Sequence, residues 1–316
     1  MLSVVIIGCG GISGSHAGAW EKIPEVKVIG CCDIREEKSK PMAKRFGCKA
    51  YKDYKRMINA LKPDIVDICL PTYLHPEVAV WALNKGCNVL TEKPISLKKR
   101  DVARVYGAAE KNGKRFMVAQ CVRFWDEFRY VADCYADGRF GRLLSGHMMR
   151  MGNTPASSWD DWMLDPERSG LVPFDLHIHD LDFMVSIFGK PVKMVRDRAR
   201  SVRQDYIHAT YTYDDFFIVS EAAWYDSGYA FRSGFRFQFE KAVMEYTGGV
   251  LTVYSKDSGT FKPFDSADGE GGYVPRTNAY YNEIRYFTDC VLNGTDCEKV
   301  KAHELETVLD CIKKLS

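Results

Sequence analysis

The stretch Ser3-Val4-Val5-Ile6-Ile7-Gly8-Cys9-Gly10-Gly11-Ile12-Ser13-Gly14 decides how this 316-residue chain is read. Four consecutive β-branched residues suit a strand buried on both faces, and the glycines follow at once. A strand, a glycine turn and a helix in that order form a dinucleotide-binding pattern. Gly8 permits the tight turn, and Gly10 lets a pyrophosphate approach backbone amides at the helix start, where unpaired N–H groups favour anions. Gly11 and Ile12 complete the turn. Ser13 stands where the third fingerprint glycine is expected, and it is small enough for the helix to lie close to the strand. Asp33 closes the next apolar run, where a carboxylate accepts hydrogen bonds from ribose hydroxyls and repels a 2′-phosphate. The expected cofactor is therefore NAD in preference to NADP. Arg35 is open to three roles: stacking on adenine, offsetting that repulsion, or standing in solvent at a helix start.

Working outward, β-branched runs at 4–8, 26–33, 65–70, 88–91 and 116–119 alternate with helical patterns such as 35–46 and 76–85, stopped by Gly47 and Gly86. This alternation predicts a doubly wound parallel sheet over residues 1–121. From 122 to 316 the pattern changes to a helix at 126–136 and strand-like segments at 192–202, 217–224, 235–239 and 250–254. A polar stretch at 255–272 reads as a loop, and helical spacing returns at 278–292 and 303–315. The expected fold class is thus α/β, a doubly wound N-terminal parallel sheet followed by a sheet-rich C-terminal α+β domain. Phe235, Phe237 and Phe239 form one apolar face, to be buried under the domain's own helices or another subunit.

The chain has 44 basic against 42 acidic side chains and no like-charged block, which argues against a nucleic-acid partner. No apolar run approaches membrane-spanning length, so no membrane partner is expected. The cysteines number 11, an odd count without a C-x-x-C pair, and they read as buried thiols of a reducing cytosol. The first residues lack a basic segment and read as a strand rather than a secretory signal, so a cytoplasmic location is expected.

Two further stretches carry chemistry. Glu92-Lys93-Pro94 follows a strand at the carboxyl edge of the sheet, where ligands of open α/β sheets bind. Lys93 there suits a substrate oxygen, although the same tripeptide alone is more often a surface turn. Asp175-Leu176-His177-Ile178-His179-Asp180-Leu181-Asp182 is the densest titratable group in the chain. Asp175 and His179 are four apart and share one face of a helix, placing a carboxylate to orient an imidazole for acid/base work. His177 reads as structural, and Asp180 and Asp182 as caps or hydrogen-bonding groups of the helix running to Gly189. His177, His179, Asp180 and Asp182 offer metal-ligand types, but no second His/Cys cluster completes a set, so no metal is expected. Thr72 and Gln120 follow strands on the cofactor edge and are either ribose or nicotinamide contacts or turn residues. His75 precedes Pro76 as a cofactor contact or a helix cap. Asn153 and Trp162 line the pocket or pack, and Tyr280 is divided between pocket and core.

With these residues in view, the chain resembles the Gfo/Idh/MocA oxidoreductases. The resemblance runs from the glycine turn and His16 through Asp33, Pro71 to His75, Glu92-Lys93-Pro94, Arg123-Phe124, the D-x-x-x-H of Asp175 and His179, and the segment 280–287. It implies an N-terminal Rossmann domain and a C-terminal domain with an open-faced sheet, a bound NAD or NADP, a sugar or polyol substrate, and a homodimer or homotetramer packed through the second sheet. It also implies that His179 takes the proton of the reacting hydroxyl. Lys93 then supports the alkoxide, and Asp175 orients His179 or binds substrate. The expected activity is hydride transfer between a secondary alcohol and the nicotinamide. The competing readings are a noncatalytic NAD or ligand sensor, and redox-neutral sugar chemistry with tightly held NAD.

Overall fold

In the computed structural model, residues 1–156, 158–264 and 279–316 are described. The chain divides into two compact units, Met1–Gln120 with Tyr280–Glu306, and Cys121–Ala279 with Thr307–Ser316. Residues 280–306, which the division at 121 assigns to the second domain, thus group with the first.

In the first unit the elements run β1 (Leu2–Ile7), α1 (Ser13–Trp20), β2 (Val26–Cys32), α2 (Glu36–Phe46), β3 (Lys49–Tyr51), α3 (Tyr54–Leu61), β4 (Ile65–Ile68), α4 (His75–Asn84), β5 (Asn88–Glu92), α5 (Arg100–Lys111) and β6 (Phe116–Ala119). All six strands pair in parallel in the order β3-β2-β1-β4-β5-β6, the Rossmann order. Val4, Val5, Ile6, Ile65, Val66, Val89 and Val118 are fully buried, which is why these strands are continuously rather than alternately apolar. Asp67 breaks the pattern as a fully buried acid within β4. The helix expected at 35–46 ends at Gly47 and the next at Gly86, both with positive φ.

The second unit contains α6 (Asp126–Asp137), β7 (Leu143–Asn153), α7 (Pro166–Ser169), α8 (Ile178–Phe188), β8 (Lys193–Arg200), β9 (Asp205–Thr212), β10 (Phe217–Tyr225), β11 (Arg232–Phe239), β12 (Ala242–Thr247), β13 (Val250–Ser255) and β14 (Gly259–Phe261). The sheet order is β14-β13-β12-β11-β7-β10-β9-β8, parallel between β7 and β10 and antiparallel elsewhere. Two helices follow, α9 (Ala279–Asn293) and α10 (Ala302–Leu315). Part of the expected 255–272 loop is strand β14; residues 265–272 of that loop and Asn278 of the expected helix lie outside the described residues.

Strand β7 is central to this sheet, yet its sequence Leu-Leu-Ser-Gly-His-Met-Met-Arg-Met-Gly-Asn lacks the alternation and β-branching by which strands are recognised. Its role depends on packing. A Cβ at Gly146 would lie 2.7 Å from the Phe237 ring, so the glycine lets a neighbouring aromatic ring close over the strand. Phe235, Phe237 and Phe239 are buried, and edge-to-face or tilted ring pairs join Phe235 to Phe128 of α6 and Phe237 to Phe183 and Phe188 of α8. The phenylalanine row is therefore covered by helices of its own unit. The opposite face carries exposed Phe217 and a shallow cavity of about 320 Å³ bordered by His147, Val219, Arg236 and Gln238.

Candidate active site

At the edge of the first sheet, Gly8 turns the chain out of β1 with φ +91°, and a side chain there would collide with the Cys69 carbonyl. Gly10 and Gly11 are the opposite case: a Cβ at either would meet nothing within 4 Å. These two glycines form an open cradle at the start of α1, whose N-terminus has no side-chain cap at Ile12. Ser13 is fully buried, and its hydroxyl donates to the Gly10 carbonyl at 2.6 Å. Serine at the third fingerprint position thus ties the turn together as well as fitting the close packing. Asp33 reaches back to the same turn, accepting the Cys9 N–H at 2.9 Å and the Arg35 N–H at 2.9 Å. The Arg35 Nε lies 3.6 Å from Asp33, which places that cation beside the acid. An open backbone cradle, uncapped helix amides and an oriented carboxylate on the adjoining strand fit an adenine dinucleotide.

Thr72 and Gln120 are buried after β4 and β6, and the Gln120 side-chain oxygen has no hydrogen-bond partner among the described residues. His75 does not cap α4 through its side chain. Its ring nitrogens lie 2.8 Å from the Pro94 carbonyl and 2.7 Å from the Leu70 carbonyl, linking two turns at the sheet edge, and burial holds its pKa below the ordinary value. Glu92 ends β5 with one oxygen accepting the Lys93 N–H at 2.9 Å and the other 3.0 Å from His16 Nε2. The Lys93-Pro94 peptide is cis.

In the second unit, a π-helical turn at Pro173–His177 leads directly into α8, so Asp175 and His179 lie on successive helical turns, both half-buried. His177 between them is fully buried, with Nε2 hydrogen-bonded to the Tyr211 hydroxyl of β9 and Nδ1 3.5 Å from Ser220 of β10. Burial, with the Arg150 charge, pushes the His177 pKa down to about 3, so this ring is neutral at pH 7.

Asp180 and Asp182 do not cap α8. Asp180 accepts from Arg150 of β7 at 2.8 Å, and Asp182 takes a two-point hydrogen bond from Arg123 at 2.6 and 2.7 Å. Neither acid is the N-cap residue of α8, and both are almost fully buried, so their charges require cations. Asn153 is exposed at the end of β7, and its side-chain oxygen accepts the Gly228 N–H at 3.1 Å, so it holds a turn there. Trp162 is half-buried, and Tyr280 is half-buried with its ring 6.1 Å from that of His16.

The sequence reading assigned no role to Asp67, Arg150 or Tyr211. An acid inside Ile65-Val66-Asp67-Ile68 was a visible signal, since a charge in a buried parallel strand needs a partner. Arg150 was hidden because β7 went unrecognised.

A family model described as an oxidoreductase family with an NAD-binding Rossmann fold matches residues 2–120, and the C-terminal domain of the same family matches residues 128–245. The chain belongs to the Gfo/Idh/MocA oxidoreductase family. It is 28% identical over 196 residues to a myo-inositol 2-dehydrogenase of Thermotoga maritima, covering 61% of this chain and 57% of that protein. It is 28% identical over 185 residues to a 2,7-anhydro-N-acetylneuraminate hydratase of Mediterraneibacter gnavus, covering 58% and 48%. The chain spans about half the length of these curated relatives. A solved levoglucosan dehydrogenase in complex with NADH shares the fold at a TM-score of 0.84, with 18% identity over 99% of this chain and 95% of that one.

The His177 environment fixes a pH dependence. Its pKa is depressed when folded and about 6.5 when unfolded, so the unfolded state takes the proton first. The stabilisation is present above about pH 6.5 and declines as pH falls toward the folded value. Urea titrations at about pH 7 and about pH 4 should show a loss of stability roughly 3 kcal/mol larger in the unmodified protein than in His177→Gln. Equal losses in the two proteins would refute a neutral buried ring.

Proposed function

We propose that the protein is an NAD-dependent dehydrogenase that transfers hydride between a secondary alcohol of a sugar, polyol or derivative and the nicotinamide. The observation that carries this reading is the β1–α1 turn, with its open Gly10 and Gly11 and with Asp33 drawn onto the Cys9 amide. Membership in a family described as NAD-binding oxidoreductases supports it, as do a relative named for myo-inositol and a fold neighbour holding NADH.

When bound, the nicotinamide supplies the hydride acceptor or donor. The chain's own part is proton and charge handling. His179 takes the hydroxyl proton, the imidazole being the side chain that serves most often as a general base. Lys93 stabilises the developing alkoxide, and Asp175 orients His179 or holds a substrate hydroxyl. Gly8, Gly10, Gly11, Ile12 and Ser13 form the pyrophosphate turn, and Asp33 with Arg35 holds the adenosine end. Thr72 and Gln120 serve the nicotinamide side, where the unpartnered Gln120 oxygen is available as an acceptor.

The relative named as a hydratase favours one second reading, in which a transient oxidation activates the substrate and the cofactor is regenerated within each turnover. Substrate loss without net NADH separates it from the first.

The reading extends to assembly and place. The outer sheet face, which carries exposed Phe217 and the cavity bordered by His147, Val219, Arg236 and Gln238, is the surface proposed to pair in a homodimer or homotetramer. All eleven cysteines are unpaired thiols, which suits a reducing cytoplasm. Among the described residues, no helix is long and apolar enough to cross a membrane.

Three outcomes test these proposals. A panel of polyols, sugars and glycosides should yield NADH with at least one member, and His179→Ala should lower that turnover by about 100-fold or more while NAD still binds. Calorimetry should give tighter binding of NAD than NADP, with Asp33→Ala narrowing the gap by removing repulsion of the 2′-phosphate; equal affinities in the unmodified protein would overturn the cofactor assignment. Light scattering should return at least twice the chain mass of 35.9 kDa, and a monomer at all concentrations would remove the assembly proposal.

A further inference from the structure

His16 takes no part in the chemistry assigned above, yet its surroundings are the most highly charged in the first unit's core. The ring is fully buried. Its Nδ1 lies 3.0 Å from both Asp67 oxygens, and its Nε2 lies 3.0 Å from Glu92 Oε1. Both nitrogens face carboxylates, and a ring donating on both sides is an imidazolium. Asp67 is satisfied further by the Trp20 indole N–H at 2.7 Å and by the Cys69 thiol at 3.7 Å. Burial opposes charge on His16, but Asp67 outweighs it and holds the ring well above its ordinary pKa. The titratable groups facing the ring are Asp67 of β4, Cys69 just beyond it, Glu92 of β5, and Tyr280 of α9 at a ring distance of 6.1 Å. Ligand atoms of His16, Asp67 and Cys69 fall within 4.8 Å of one another, as in a metal site, but hydrogen bonds already use both ring nitrogens on two separate acids.

The consequence lies one residue beyond Glu92. While one Glu92 oxygen is held by His16, the other accepts the Lys93 backbone N–H at 2.9 Å. On the far side of Lys93, the Pro94 carbonyl is 2.8 Å from the His75 ring. The backbone is thus held immediately before and after the lysine.

We infer that His16 is a positioning residue: clamped between Asp67 and Glu92, it fixes Glu92 on the Lys93 amide and so sets where the Lys93 side chain stands. The inference rests on the proposed role of Lys93 only for its effect on turnover. Its effect on Lys93 itself is measurable without a substrate.

The test uses the full chain with NADH bound and follows two signals against pH. The first is the His16 imidazole nitrogen resonance, and the second is the rate at which a trace acylating reagent labels Lys93, read by mass spectrometry. In the unmodified protein His16 should remain doubly protonated throughout the neutral range, and Lys93 labelling should show no inflection there. Asp67→Asn removes the stronger counter-charge, so the ring should then lose its proton in the neutral range, with Lys93 labelling changing several-fold at the same midpoint. Glu92→Gln carries the same comparison should Asp67→Asn not fold. His16→Gln should alter Lys93 labelling several-fold at every pH and, with a substrate from the panel, lower kcat by about 100-fold with KM for NAD changed little. Folded, NADH-binding variants whose Lys93 labelling matched the unmodified protein would overturn the inference and leave His16 a packing residue. Coincident midpoints with no hydride transfer in any protein would uphold the positioning role and refute the dehydrogenase reading instead.

Discussion

Gly8 has no room for a side chain, and the cofactor edge of the first unit is built from that constraint. Because a Cβ there would strike the Cys69 carbonyl, β1 and the segment leaving β4 approach more closely than any other residue would permit. The close approach sends the chain into a turn whose Cys9 amide meets Asp33 at the end of β2. It also leaves Gly10 and Gly11 facing open space at the start of α1. From the same helix, His16 reaches β4 and β5 together. One turn of backbone therefore sets the relative placement of the carboxyl ends of β2, β4 and β5, where a parallel sheet concentrates its binding groups.

The second unit solves a different problem, which is to seat a helix bearing alternate acids and histidines on an aromatic sheet. Burying a charge costs several kcal/mol, and the attraction of its partner repays that cost only in good geometry. Arg123 meets Asp182 with two short parallel hydrogen bonds, while Arg150 meets Asp180 with one. Breaking such a pair costs about 3–5 kcal/mol, whereas replacing both members by apolar residues is often neutral. Their value is accordingly in specifying how α8 is rotated. With Asp180, Asp182 and His177 committed to the interior, that rotation leaves Asp175 and His179 only half-buried.

What could be read in advance follows from how local the signal is. The glycine turn and the doubly wound parallel sheet rest on patterns contained within a few residues and were legible, whereas the three-residue β3 was too short to show one. The cluster from Asp175 to Asp182 was legible as titratable but only partly sorted. Spacing pairs Asp175 with His179, yet the partners that occupy Asp180 and Asp182 come from segments far away in the chain. Strand β7 was illegible because its fitness as a strand lies in neighbours on both sides rather than in its own residues. The turn contact of Asn153 was out of reach for a related reason, since its partner lies 75 positions later. The grouping of 280–306 with the first unit also follows from contacts remote in sequence, such as Arg285 to Glu25 and Tyr106 to Val300.

That last grouping has a consequence for how the chain is made. The nucleotide-binding unit closes through the Arg285–Glu25 ion pair, whose members stand 260 residues apart. At ribosomal rates of about 5–20 residues per second, Glu25 waits on the order of 10 s or longer for its partner to be synthesised. During that interval the first sheet can assemble, but the surface that Tyr280–Glu306 later occupies has nothing to cover it. Docking this returning segment is thus the closing event for a unit that began to emerge first, and the second unit's strands are translated while the first is still incomplete.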